Sequence, residues 1–264
     1  MFDFGKKTYI MGILNITPDS FSDGGDYNSI DKALEKAKQM IEHGADIIDI
    51  GGESTRPGHT KIDKDEELKR VIPVIKKLKE NLDIKISVDT YKSEVAEESL
   101  KLGVDMINDI WGLTKDENMA KVIAKYDAYV CIMHNKDNTD YDKDIIESIK
   151  DFFEKSIKIA IDNGIKKEKI ILDPGIGLFG KTFEQNIEVL KRLNELKTLS
   201  YPILLGTSRK SVIGNILNVE PKKRVEGTIA TTVLGIRDGI DIVRVHDVYE
   251  NLMAIKVADY IYRH

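Results

Sequence analysis

Asn15, Asp89, Asn108, Asp109, His134, Asp173, Lys210, Arg244 and His246 share one habit: each sits at or just past the end of a short apolar, β-rich run. Asn15 closes YIMGILN, Asp89 closes KISVD and Asp173 closes IILD, while Lys210 follows ILLG in GTSRKS and Arg244 and His246 end DIVRVH. A lone Asp before Thr or Pro is usually a turn residue or a helix cap. Capping, however, does not call for amide, lysine, arginine and imidazole together. As a set the residues divide into two chemistries. Asp89, Asn108 and Asp173 offer acceptors and an amide, which suit a flat heterocycle bearing several N–H groups. Lys210, Arg244 and His246, with Arg209 nearby, suit phosphate or diphosphate, because a guanidinium grips two oxygens at once. One substrate can span both halves.

Residues scattered this far along a chain act together only if the fold gathers them. Apolar runs at about 9–15, 46–51, 85–89, 106–110, 128–133, 169–173, 202–206 and 240–245 alternate with amphipathic stretches such as SIDKALEKAKQMIEHG, DEELKRVIPVIKKLKENL and TFEQNIEVLKRLNELK. That alternation predicts parallel strands joined by crossover helices. Eight such units fit a closed (β/α)8 TIM barrel better than an open doubly wound sheet, and such barrels carry their chemistry where strands give way to loops. The expected organisation is one domain over 1–264, with an extra short helix from Ser211 to Asn218.

Composition narrows the partners. A formal net charge of −5 over 264 residues argues against a nucleic-acid face, so any bound anion must meet a local positive cluster. The start MFDFGKKTYI is too polar for a signal peptide, and no segment approaches the apolar length of a membrane helix. The single cysteine, Cys131 in AYVCIM, reads as a buried small hydrophobe rather than a nucleophile. A cytoplasmic enzyme is the expectation.

The motifs NITPDSFSDGG from Asn15, GGESTRPG from Gly51, SVDT from Ser87, ND at Asn108, DPGIG from Asp173, GTSRKS from Gly206 and RVHDV from Arg244 resemble the dihydropteroate synthase family, and the resemblance spans nearly the whole chain. It implies a (β/α)8 barrel that joins (7,8-dihydropterin-6-yl)methyl diphosphate to p-aminobenzoate and releases pyrophosphate. It also implies that Asp89, Asn108, Asp173 and Lys210 hold the pterin, and that Asn15, Arg244 and His246 hold the diphosphate, with Mg2+ near Asn15. Phe21, Asp23, Thr55, Arg56 and Ser211 would form the aminobenzoate pocket and its loops. Lys210, Arg244, His246 and Asp89 would carry catalysis, and a homodimer is implied as the partner state.

Two stretches depart from the family pattern. DPGIGLFGK is one residue longer than the usual form, and MHNKDNTDY lacks the Met-Gly-Thr-Pro of many members. The extra residue creates GIGLFGKT from Gly175 to Thr182, which satisfies a phosphate-loop pattern. Asp173-Pro174 precedes it within the sixth of eight units, so we expect no nucleotide there and no part for Lys181 in the reaction. Pterin-dependent corrinoid methyltransferases share the acceptor half but need no diphosphate clamp. A barrel that binds without catalysing is the other alternative. Residues 17–26 and 53–64 are rich in Gly, Pro, Ser and Asp, and we expect ligand-coupled ordering of these loops.

Overall fold

A computed structural model describes residues 2–16, 26–53, 61–177 and 180–263. Its strands are β1 Tyr9–Asn15, β2 Ile47–Gly51, β3 Lys85–Asp89, β4 Met106–Asp109, β5 Tyr129–Met133, β6 Ile170–Asp173, β7 Leu204–Leu205 and β8 Ile242–Val245. All pair in parallel in the order β6-β5-β4-β3-β2-β1-β8-β7. A bridge from Leu172 to Ile203 joins the two ends of that series, so the sheet closes into a (β/α)8 barrel. The helices are α1 Asp26–Glu42, α2 Lys64–Asn81, α3 Ser93–Lys101, α4 Met119–Lys125, α5 Ile145–Asp162, α6 Phe183–Lys191, α7 Ser211–Leu217, α8 Val225–Arg237 and α9 Val248–Tyr262. The short α7 is the extra helix expected before the seventh main one.

Most strands lie within a residue or two of their expected bounds. The seventh is shorter, two residues in place of five. Pro202 has no N–H to give the ladder and contributes only its carbonyl, which accepts from Leu172 at 2.9 Å.

Each strand alternates between two cores, as the period of two requires. One face packs Leu14, Ile48, Ile50, Ile86, Val88, Ile107, Val130, Ile132 and Val243 against the helices. The other points into the barrel, where Tyr9, Met11, Ile47, Met106, Tyr129, Cys131, Ile171, Leu204 and Ile242 surround Phe2. Phe2 stands edge-on to Tyr9 and to Tyr129, each at 5.0 Å, and so plugs the end of the barrel where the strands begin. Cys131 is fully buried, and burial pushes its thiol well above the usual range, which removes it as a nucleophile.

Candidate active site

Two residues further along, the inward set turns polar on four strands and reaches a glycine just past β7. Asp49 follows Ile47, Asn108 follows Met106, Asp173 follows Ile171, Gly206 follows Leu204 and Arg244 follows Ile242. Register places Asn15 beside Gly51, Gly51 beside Asp89 and Asp89 beside Asn108, a continuous row over four strands. Gly51 lies directly between Asn15 and Asp89, where a Cβ would be in van der Waals contact with the Asn15 side-chain oxygen at 3.4 Å.

Arg244 organises the site. Its Nε donates to Asp49 Oδ2 at 2.6 Å and its Nη2 donates to Asp89 Oδ2 at 2.8 Å. Burial works against its charge, but Asp49 and Asp89 together hold the guanidinium protonated more firmly than usual. Burial likewise raises Asp89 above the ordinary carboxylate range; Arg244 opposes this, and Asp49, Glu67 and Asp109 reinforce it. The two chemical sets read from the sequence are therefore interlocked, since Arg244 of the basic set is ion-paired to Asp89 of the acceptor set. Asp49 is the residue that sequence reasoning missed. Its signal was available: an aspartate inside the apolar run IIDIG, two residues before Gly51 and hence on the same inward face.

Asp173 and Lys210 form the second cluster. A Cβ on Gly206 would lie 3.7 Å from Asp173 Oδ2 and 3.8 Å from Lys210 Nζ, so both side chains converge over that glycine. Lys210 donates to the Ile176 carbonyl, and Asp173 Oδ1 accepts from the Gly175 N–H at 2.8 Å. Burial lowers the Lys210 ammonium to about 8 against the pull of Asp173. Burial raises Asp173, opposed first by Lys210. The Lys210 stem runs over Gly177, where a Cβ would come within 2.9 Å of it, and Gly177 has the left-handed φ of +68°.

The last two loops are cross-linked in pairs. Ser208 Oγ lies 2.9 Å from His246 Nδ1 and accepts from the His246 backbone N–H at 3.1 Å. Arg209 Nε donates to Asp247 Oδ2 at 2.9 Å, an ion pair that ties the loop after β7 to the loop after β8. Ser211 opens α7 directly after Lys210.

Two polar residues expected on the rim face elsewhere. Asp109 follows the inward Asn108 and so points outward, where its oxygens accept from Trp111 and Leu113 N–H groups at 2.8 Å each. His134 follows the inward-parity Met133 and packs edge-on against Phe152 of α5 at 4.9 Å. Lys181 is not a surface lysine of a phosphate loop: it is 7% exposed, and its ammonium lies against His134 Nδ1 and the Gly175 carbonyl. Phe21, Asp23, Thr55 and Arg56 lie outside the described residues, as do Leu178 and Phe179 of the lengthened motif.

The carboxamide oxygen of Asn15 is a hard donor of the kind Mg2+ accepts. Among the described residues no group of three His, Cys, Asp or Glu side chains could hold a metal. A single hard oxygen of this kind fits an ion that completes its shell largely with phosphate oxygens and water, as Mg2+ does.

Residues 11–246 match the family model described as pterin binding enzyme. A dihydropteroate synthase of Clostridium beijerinckii is 58% identical over 263 residues, covering 99% of this chain and 97% of that protein. The crystal structure of a dihydropteroate synthase from Clostridium difficile in the presence of pteroic acid superposes with a TM-score of 0.98 at 75% identity, covering 100% of both chains. A Yersinia pestis dihydropteroate synthase in complex with a sulfonamide drug gives a TM-score of 0.90 at 42% identity, over 97% of this chain and 95% of that one.

Proposed function

This chain belongs to the pterin-binding enzyme family, and from that premise we propose the roles of its rim residues in the dihydropteroate synthase reaction. The activity is alkyl transfer: (7,8-dihydropterin-6-yl)methyl diphosphate and p-aminobenzoate give 7,8-dihydropteroate and pyrophosphate. Asp173, Asn108 and Lys210 hold the pterin with Asp89, and Asn15, Arg244 and His246 hold the diphosphate. The observation that carries this assignment is Arg244 bound to Asp49 and Asp89, which brings anion clamp and heterocycle acceptors into one cluster.

Chemistry follows from charge. As the C–O bond to the diphosphate breaks, the methylene carbon becomes electron-poor and the dihydropterin ring delocalises the deficit. The amine of p-aminobenzoate then supplies the electron pair for the new C–N bond and loses its proton. What the protein adds is stabilisation of the departing anion. One cation about 4 Å from it, at an effective dielectric near 20, contributes about 4 kcal/mol, or roughly a thousandfold in rate. Asn15 would hold Mg2+, which when bound supplies further positive charge at the diphosphate.

Pyrophosphate release from the two substrates together, and from neither alone, tests the reading. Methyl transfer from a methylated tetrahydrofolate in its place would favour the corrinoid alternative, and binding of both substrates without turnover would favour a non-catalytic barrel. Phe21, Asp23, Thr55, Arg56 and Ser211 are proposed for the aminobenzoate side. The order of binding follows: p-aminobenzoate should bind more tightly with Mg2+ and pyrophosphate present than without them, and equal affinities would sink that order.

We place the enzyme in the cytoplasm, where a lone buried thiol such as Cys131 stays reduced. No helix among the described residues is long and apolar enough to cross a membrane. The assembly proposed is a homodimer through α8 and α9. Tyr249, Met253, Val257 and Ile261 recur every four residues along α9 and are 51%, 50%, 62% and 62% exposed, with Leu234 of α8 at 49%. A stripe of that length is a surface for a second copy. Val257→Glu should give a monomer by light scattering; an unchanged mass, or a wild type that is already monomeric, would refute the assignment.

A further inference from the structure

The motif GIGLFGKT ends in a lysine that the reaction leaves unassigned. Lys181 lies just before α6, buried behind the turn that follows β6. Its Nζ is 2.7 Å from His134 Nδ1 and donates to the Gly175 carbonyl at 3.2 Å. Among the described residues it makes no ion pair with a carboxylate. A buried ammonium with only neutral partners is costly, which raises the question of what its charge serves.

Gly175 points to the answer. Its carbonyl accepts from Lys181 while its own N–H donates to Asp173 Oδ1 at 2.8 Å. Its φ of +69° is left-handed, and a Cβ there would strike the His134 carbonyl and lie 3.3 Å from Lys181 Nζ. The lysine and the aspartate thus flank one closed turn, with Lys181 behind the rim and Lys210 on the inner side. The charged and titratable groups around Lys181 are Asp173 from β6, Lys210 before α7, His134 after β5, and Lys136 and Tyr141 from the segment that follows. Burial, then the neighbouring ammonium, lowers His134 to about 2, so the imidazole stays neutral.

We propose that Lys181 is a positioning residue for the pterin: from behind the rim it braces the Gly175 turn whose N–H holds Asp173, and it adds to the positive charge that keeps Asp173 an ionised acceptor. The proposal rests on the assignment of Asp173 to the pterin. Its pH dependence has a definite sign. Burial raises Asp173; Lys210, the Gly175 N–H and Arg244 oppose this first, and Lys181 adds a smaller pull in the same direction. Removing the lysine's charge raises Asp173 further, so the carboxylate is lost sooner as pH falls. Burial also lowers Lys181 itself to about 7. Above that pH the native lysine is already neutral, and replacing it changes little.

The test is calorimetric titration of 6-hydroxymethylpterin into the full-length protein between pH 5.5 and 8.5. Lys181→Met and Lys181→Gln should each lose affinity severalfold at the acid end and none at the alkaline end, a full decade corresponding to one whole unit of pKa. A loss independent of pH that Gln restores would mean the lysine is only a hydrogen-bonding brace, and no loss would mean it is inert; either overturns the proposal. Asp173→Asn is the control. Native affinity in that variant would show that the pterin assignment, not the role of Lys181, is at fault. Should neither lysine variant fold, the wild-type Lys181 ammonium can be followed by NMR. Linkage requires bound pterin to raise its titration midpoint, and an unmoved midpoint would refute the coupling.

Discussion

The two ends of this barrel use the same residue types for opposite purposes. Where the strands begin, Asp46, Asp105 and Asp241 each precede a strand and accept a backbone N–H from the strand beside it: Ile10 at 2.9 Å, Ile86 at 3.0 Å and Ile203 at 3.0 Å. Each also has a lysine partner, Lys7, Lys79 and Lys197 respectively. These carboxylates are satisfied, and they lock strand to strand. Where the strands end, Asp49, Asp89 and Asp173 are buried among one another, and Asp49 keeps one oxygen without a partner among the described residues. Charges buried with incomplete pairing cost stability. The contrast separates a face built for stability from one built for a ligand, the division expected of such barrels.

The sharpest way to break that contrast is Arg244→Ala. We predict a fall in kcat/KM of about a thousandfold or more, since the diphosphate loses its buried cation. The variant should also unfold more easily at neutral pH, because Asp49 and Asp89 are left buried without their counter-ion. The sign with pH follows from Asp89. Burial already raises it above its unfolded value, and loss of Arg244 raises it further. The folded state then binds the proton more tightly, so the stability of the variant should recover as pH falls from neutral and decline as it rises. Thermal melts of both proteins from pH 5 to 8 check this. A variant equally destabilised at every pH would show that Asp89 does not titrate in that range.

Asp173→Asn should lower pterin affinity about a hundredfold while leaving the melting temperature of the free protein unchanged or higher, because a buried charge is removed. A variant that melts lower and still binds would make Asp173 a brace like those at the other end. A smaller effect is expected for Ser208→Ala. His246 would lose the hydroxyl beside Nδ1, and kcat/KM should drop roughly tenfold with little change in stability. Retention of full activity would mean that the imidazole needs no orienting partner.

Asp105→Asn tests the opposite end and should have the smallest catalytic effect. It weakens the bond to the Ile86 N–H and the ion pairs with Lys79 and Lys85. The expected cost is about 1–3 kcal/mol of stability, with kcat/KM within about threefold of wild type. A large catalytic defect in a stable protein would erase the distinction between the two faces.

Much of the barrel and of its rim is legible in the order of residues alone. Local pattern is decided by neighbours in the chain, so apolar alternation locates all eight strands, and the residues at or one before their ends include Asn15, Asp89, Asn108, Asp173 and Arg244. Period-two parity, pursued further, also separates the inward Asn108 from the outward Asp109 and adds Asp49 to the site. What no local pattern carries is which side chain reaches which. Arg244 meets Asp49 across 195 residues and Asp89 across 155, contacts that exist only because the barrel closes and sets the stagger of its strands. The burial of Lys181 against His134 is of the same kind, since the sequence presents a lysine in a phosphate-loop pattern and only packing between the ends of β5 and β6 turns it inward. Residue types and their places on the strands belong to the sequence; ion pairing, burial and the resulting charge states belong to the tertiary structure, because electrostatic energy depends on distance and solvent exclusion rather than on order along the chain.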